Sequence, residues 1–213
     1  LYHYYADVAP AALKVLRFLL LLPGGDREEG LREMLRARDR GELLRGEADY
    51  QLHWVYVWYE EQPAPAIALL RDLAARYPHN PVFLQRIAEM LHENFSDHQA
   101  SADTWARMAD RASRAALYAP ELAQTRARMG LAAELIDLGE ASRAVVLLAD
   151  VERARPTRPY GAAAQASLLL GDAHGRLGNR EAARAAWARA LARVPEGDPD
   201  GLRAQARARL RQR

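Results

Sequence analysis

The chain has 213 residues, half of them apolar, enough for one globular domain or one continuous repeat stack. Cysteine is absent, which excludes disulfides and thiolate zinc sites, and the longest apolar run, Val15 to Leu22, contains Arg17 and falls short of the ~20 residues that span a bilayer. Formal net charge is only +2, although residues 176 to 213 hold ten arginines against Glu181, Glu196, Asp198 and Asp200, so the C-terminal end is locally basic.

Alanine, leucine and arginine dominate and β-branched residues are sparse, so an all-α fold is expected. Lys14 is the only lysine among the 30 basic residues, a skew that reads as the codon bias of a GC-rich bacterial genome. Leu1 to Tyr5 reads as the end of a helix. Because the chain begins at Leu1 rather than Met, its natural N-terminus is expected to be missing or processed, and cytoplasm and periplasm both stay open. Pro10 opens an apolar helix to about Leu22, stopped by Pro23, Gly24 and Gly25. Asp26 and Glu29 have capping-box spacing, so residues 27 to 40 should return antiparallel, giving a first pair within residues 8 to 42.

A second pair, residues 47 to 80, comprises Glu47 to Glu61 and Pro65 to Tyr77, with Pro63 and Pro65 at the turn and Pro78 as the stop. The third, residues 81 to 120, runs from Pro81 to Phe95 and from about Ser101 to Tyr118, with a longer connection expected around Ser96 to Ala100. The fourth, residues 121 to 158, is Glu121 to Leu138 and Glu140 to Ala154, turning at Gly139. The fifth, residues 160 to 195, is Tyr160 to Leu177 and Arg180 to Val194, with Gly178 as C-cap and Asn179 as N-cap. Asp198 and Pro199 then start a capping helix, residues 198 to 211, with Leu202, Ala206 and Leu210 inward.

A spacing pattern runs beneath this punctuation. Gly171, Ala183, Trp187, Ala190 and Pro195 recur in register as Ala132, Ala144, Leu148, Val151 and Pro156, and as Trp54, Ala66, Leu70, Leu73 and Pro78. Two helices meet at the small positions, the large residue fills the gap, and proline, lacking an N–H, ends the second helix. On these residues, and on the run Leu170-Gly171-Asp172-Ala173-His174-Gly175-Arg176-Leu177-Gly178-Asn179, most of the chain resembles the tetratricopeptide repeat superfamily. Trp54 and Phe18 depart from its pattern at the place of Gly171, and the copies are unevenly spaced. The stretch Leu21 to Leu31, with its Gly-Asp-Arg turn, is similar over that length to a divergent branch of the superfamily. The resemblance implies a right-handed α-solenoid of about five antiparallel helix pairs with a C-terminal capping helix. Its concave face, lined by the first helix of each pair, would hold a peptide or a partner protein without any cofactor.

Helical phase then assigns candidate groove residues. In the aromatic segment Tyr50 to Tyr59, Trp54 is expected in the seam with Ala66 and Leu70, leaving Gln51, Val55, Trp58 and Tyr59 toward the groove, although packing against neighbouring helices competes for the same aromatics. On the next first helix the corresponding positions are Gln85, Arg86, Glu89, His92 and Glu93, and on the last they are Gln165, Leu168, Asp172 and Arg176. A lysine and asparagine clamp for a partner's terminal carboxylate is not present in this pattern.

His92, Glu93, Asp97 and His98 carry metal-donor chemistry, but the histidines are not spaced as an i, i+4 pair and straddle a predicted helix end, so a solvated helix end is expected and no metal. Gly24-Gly25 and Gly171 lack the strand and the Lys-Ser/Thr of a phosphate loop. Arg203, Arg207 and Arg211, with Arg209 and Arg213 nearby, form a basic stripe without interleaved aromatics, so a solvated cap face is favoured over nucleic-acid contact. No nucleophile, base and orienter stand at plausible spacing, so no enzymatic activity is expected. The expected function is a non-enzymatic scaffold binding a protein or peptide. The alternatives are self-association as the repeat portion of a larger envelope-associated protein or assembly, and nucleic-acid binding through the arginine-rich last helix.

Overall fold

A computed structural model describes residues 1–11, 13, 14, 20, 24–41, 44–198 and 200–211. The described residues form eleven helices and no strand, and they divide into two compact units, Leu1–Tyr77 and Pro78–Arg213, each taken here by itself.

The first unit holds α1 (Tyr2–Val8), α2 (Arg27–Arg40), α3 (Arg45–Trp58) and α4 (Pro63–Arg76). Most of the expected helix from Pro10 to Leu22, including Phe18, the stop at Pro23 and the resemblance at Leu21 to Pro23, lies outside the described residues. α2 packs on α1, closely enough that a Cβ on Gly30 would sit 2.7 Å from Tyr4 Cβ. Asp26 caps α2 by accepting from Glu29 N at 2.8 Å, but the other half of the capping box is not made: the Glu29 carboxylate turns to Arg32 and Arg36. Tyr4, Met34, Leu52, Val55 and Leu69 form one buried cluster of this unit. The buried Tyr4 hydroxyl donates to Glu60 at 2.5 Å, and Arg27 Nε donates to the same oxygen at 2.9 Å. Burial first, and Glu60 second, push the Tyr4 phenol above its ordinary range, while Arg27 holds the Glu60 carboxyl below its own. Pro63, not Pro65, opens α4, where a missing N–H costs nothing, and Ala66, Leu70 and Leu73 are buried as the spacing pattern requires.

The second unit holds α5 (Pro81–Phe95), α6 (His98–Ser113), α7 (Pro120–Asp137), α8 (Ala141–Ala154), α9 (Ala162–Arg176), α10 (Arg180–Arg193) and α11 (Leu202–Arg211). Each helix packs on the next, and α7 also touches α9, the pattern of a helical repeat. Pairs run antiparallel: Ala88 faces Ser101 and His92 faces His98 across α5 and α6, while Ser167 faces Arg193 and Asp172 faces Trp187 across α9 and α10.

Glycine and tryptophan set the closest approaches. A Cβ on Gly171 would stand 2.9 Å from Trp187 Cγ and nearer still to Cδ1 and Nε1, which is the interlock expected between the small and large positions. Ala132, Ala144, Leu148 and Val151 share one buried cluster, as the pattern requires. The pattern does not reveal the second glycine seat, Gly130 on α7, where a Cβ would meet Trp105 Cζ2 on α6 at 2.8 Å, because this contact joins successive pairs rather than the members of one.

Turn chemistry places most boundaries. Asn80 caps α5 through Val82 N at 3.0 Å, Pro120 occupies the first turn of α7, and Gly139 and Gly178 take φ of +80° and +75°. Asn179 sits at the N-cap of α10 without a side-chain bond. Asp198 accepts from Leu202 N at 2.7 Å and Arg203 N at 3.0 Å, so it caps α11 from four residues upstream; Pro199 is outside the described residues. Leu202 and Ala206 are buried, with Leu210 partly exposed.

One connection departs from expectation with consequences for chemistry. The long loop at Ser96 to Ala100 does not exist: only Ser96 and Asp97 separate α5 from α6. Ser96 takes the left-handed conformation, φ 51°, and Asp97 accepts from Ala100 N at 3.0 Å, so the second helix starts at His98.

Candidate functional site

The face expected on α3 is broken up by the helix's true phase. Ala48, Leu52 and Val55, at i, i+4 and i+7, face the core, and Val55 is 0% exposed rather than open to a groove. Its aliphatic neighbours set this phase, because an indole at Trp54 cannot serve as the small residue of a close helix contact. Trp54 is half-buried, its ring 6.2 Å from that of Trp58. Gln51 donates along its own helix to Glu47 at 2.8 Å. Tyr59 stands edge-on to Tyr4 and Tyr5, at 5.8 and 5.5 Å. Trp58 is 69% exposed, and Tyr59 is still 42% exposed.

On α5 four of the five expected residues, Gln85, Arg86, Glu89 and His92, share a face. Gln85 donates to Glu89 at 2.8 Å, Arg86 pairs with the other Glu89 oxygen, and Arg126 of α7 donates to Gln85 Oε1 at 2.8 Å, so both helices join in one polar ladder. His92 continues it by bonding Glu134 of α7.

At the end of that ladder the two-residue turn closes a cluster that the sequence spacing argued against. His92 Nδ1 stands 3.1 Å from Glu134 Oε1, and His98 Nδ1 stands 3.0 Å from Oε2, with the two rings edge-to-face at 4.9 Å. Ser101 Oγ lies 2.9 Å from Glu134 Oε1 and from the Ala88 carbonyl; its one proton is better spent on the charged acceptor. Glu134 is 4% exposed, while both imidazoles are partly open to solvent. The hydrogen bond to Glu134 raises the His98 pKa. Asp137, one turn beyond Glu134, brings a fourth donor, and the ligand atoms of all four residues lie within 4.8 Å of one another. Asp97 serves as helix cap and Glu93 is exposed outside the cluster, so of the four residues weighed and set aside as donors only the two histidines belong to it, joined by two carboxylates from α7. Glu134 was findable: it falls on the inward stripe with Ala123, Ala127 and Gly130, where a carboxylate needs a partner.

A second feature of this unit is a cleft of about 650 Å³ lined by α7, α9, α10 and α11. Leu169 and Trp187 supply apolar wall, and Asp172 is held by Trp187 Nε1–H at 2.9 Å and Arg209 Nε at 2.6 Å. Arg176, Arg180 and Arg184 also line it, all exposed. Of the positions expected on α9, Asp172 and Arg176 reach this cleft, Leu168 is buried and Gln165 is exposed. Arg180 and Arg184 went unnoticed in the sequence because they belong to a second helix of a pair. The C-terminal stripe is partly engaged: Arg209 turns inward to Asp172, Arg211 Nε donates to the Arg207 carbonyl at 3.3 Å, and Arg213 lies outside the described residues.

No family model matches the chain, nor does any curated protein or any solved structure. Function therefore rests on the geometry of the polar ladder, the histidine cluster and the cleft. No described helix is long and apolar enough to cross a membrane.

Proposed function

We propose that the chain is a non-enzymatic scaffold of the tetratricopeptide type, a right-handed solenoid of helix pairs, and that the cleft between α7, α9, α10 and α11 holds an acidic segment of a partner protein. One observation carries this reading. Arg176, Arg180 and Arg184 line the cleft with no carboxylate partner among the described residues, Arg184 donating only to the Leu210 carbonyl at 3.3 Å; of the two acids in the lining, Asp172 is already taken up by Trp187 and Arg209, and Asp137 is exposed at the α7 side. Guanidinium groups match carboxylates in a two-bond fork, and the Leu169 and Trp187 surfaces offer an apolar wall for the side chains between.

The test is titration of a peptide alternating glutamate and leucine against the full chain, followed by calorimetry. Binding should weaken as salt rises. Arg176→Glu with Arg180→Glu, both at exposed positions, should abolish it. Equal binding by that double variant, or by a peptide with glutamine replacing glutamate, refutes the reading. The exposed Trp58 supports a second reading, self-association through α3; a Trp58→Ser variant should then shift a concentration-dependent oligomer to monomer in sedimentation.

A further inference from the structure

We propose that His92, His98, Glu134 and Asp137 form a binding site for a divalent transition ion of the Zn²⁺ class, tying α5, α6 and α7 together. The donors have suitable geometry. Ligand bonds to Zn²⁺ of ~2.0–2.2 Å place neighbouring donors of a tetrahedron about 3.3 Å apart. The Nδ1 atoms of His92 and His98 already stand 3.1 and 3.0 Å from the Glu134 oxygens, with Asp137 inside the same 4.8 Å sphere.

Charge supplies an independent reason. A carboxylate withdrawn from water needs a permanent cation or an equivalent. Asp49 has Arg76, Glu60 has Arg27, and Glu152 has Arg189 and Arg193. Glu134, among the most buried of the described acids, has no arginine or lysine among its partners within the described residues; it faces two imidazoles and a serine hydroxyl. A dication bound there would complete its charge balance, with neutral imidazoles as ligands rather than as proton donors.

The surroundings favour preorganisation. The Asp97 cap and the left-handed Ser96 hold the histidines facing each other across two residues, and Ser101 Oγ fixes one oxygen of Glu134 as an outer-shell partner. Two imidazoles with two carboxylates suit Zn²⁺ and its neighbours, whereas Ca²⁺ requires six to eight oxygens and Mg²⁺ keeps much of its water.

The experiment is titration of the full chain, stripped with chelator, with ZnCl₂ by calorimetry and with CoCl₂ by visible absorption. One Zn²⁺ per chain should bind, with the intense d–d bands of four-coordinate Co²⁺, and Tm should rise by roughly 5–10 °C at a hundredfold excess over Kd. His92→Ala with His98→Ala, at positions partly open to solvent, should keep the helical circular dichroism of the parent and weaken binding at least a hundredfold; Ser101→Ala should weaken it about tenfold. Absence of saturable binding in the parent shows a hydrogen-bonded His–Glu–His cluster instead and overturns the proposal. Undiminished binding by the folded double-histidine variant, which retains His3, His53, His79 and His174, overturns it equally.

Discussion

Two alanine substitutions four residues apart on α9 should move stability in opposite directions. At Gly171 an added methyl would lie 2.9 Å from Trp187 Cγ and closer to Cδ1 and Nε1, a separation real side chains do not adopt. At Gly175 the nearest atoms to a new Cβ are Trp187 Cζ2 and Cη2, at 3.7 and 3.8 Å, an ordinary contact. The indole cannot simply withdraw from position 171, because its N–H is bonded to Asp172 at 2.9 Å and the same carboxylate oxygen holds Arg209 at 2.6 Å. Forcing a methyl into such a seat costs about 1–3 kcal/mol. Displacing the indole N–H from a charged acceptor costs about 1.5–3 kcal/mol more. Replacing glycine in a helix returns about 1 kcal/mol. Gly171→Ala should therefore destabilise by roughly 1.5–5 kcal/mol, whereas Gly175→Ala, near the helix end and free of the clash, should stabilise by roughly 0.5–1 kcal/mol.

Urea unfolding followed by far-ultraviolet circular dichroism reads both as midpoint shifts at constant m. The clash is separable from general loss of packing by a cycle with Trp187→Leu: in that background Gly171→Ala should cost less than about 1 kcal/mol, because the indole it collides with is gone. If Gly171→Ala is as stable as Gly175→Ala, or if its cost is the same with and without Trp187, then the glycine is not there to seat the indole and the account of this repeat's packing is wrong.

Arg76→Ala should cost about 3–5 kcal/mol in thermal unfolding, because Asp49 is left buried without its cation and its Oδ1 has no hydrogen-bond partner among the described residues; adding Asp49→Asn should recover much of the loss. At Glu152 burial raises the carboxyl pKa, but the Ser167 hydroxyl, Arg189 and Arg193 outweigh it and leave it below its ordinary 4.5. A depressed folded pKa means stabilisation that is complete above the unfolded value and disappears as pH falls through the folded one. Glu152→Gln should thus lower stability at neutral pH by roughly 1–3 kcal/mol and flatten its decline below pH ~4.5, as chemical denaturation across pH would show. Asp97→Ala removes the cap of α6 and should cost about 1 kcal/mol, with faster hydrogen exchange confined to the first turn of that helix.

The helices were legible because their ends are marked by residues with local reasons to be there: Pro81 and Pro120 lack an N–H that a first turn does not use, Gly139 and Gly178 adopt positive φ, and Asp26 accepts from the turn it precedes. Phase was less legible where the residues conflict. On α3 helical phase put Val55 toward the groove, whereas packing followed Ala48, Leu52 and Val55 and buried it. The histidine cluster was hidden by two facts of different kind. Glu134 lies 42 residues from His92 and 36 from His98, a tertiary contact that no local pattern encodes. The pairing of the histidines, however, is local, and it turns on loop length. With a connection from Ser96 to Ala100, His98 would belong to that loop and lie outside either helix. With Asp97 as cap it becomes the first helical residue, one short turn across from His92. Asp97 was the residue to weigh: an acid three positions before Ala100, at the start of an alanine-rich amphipathic run, is an N-cap signal, and reading it as a cap instead of a metal donor brings His92 and His98 together.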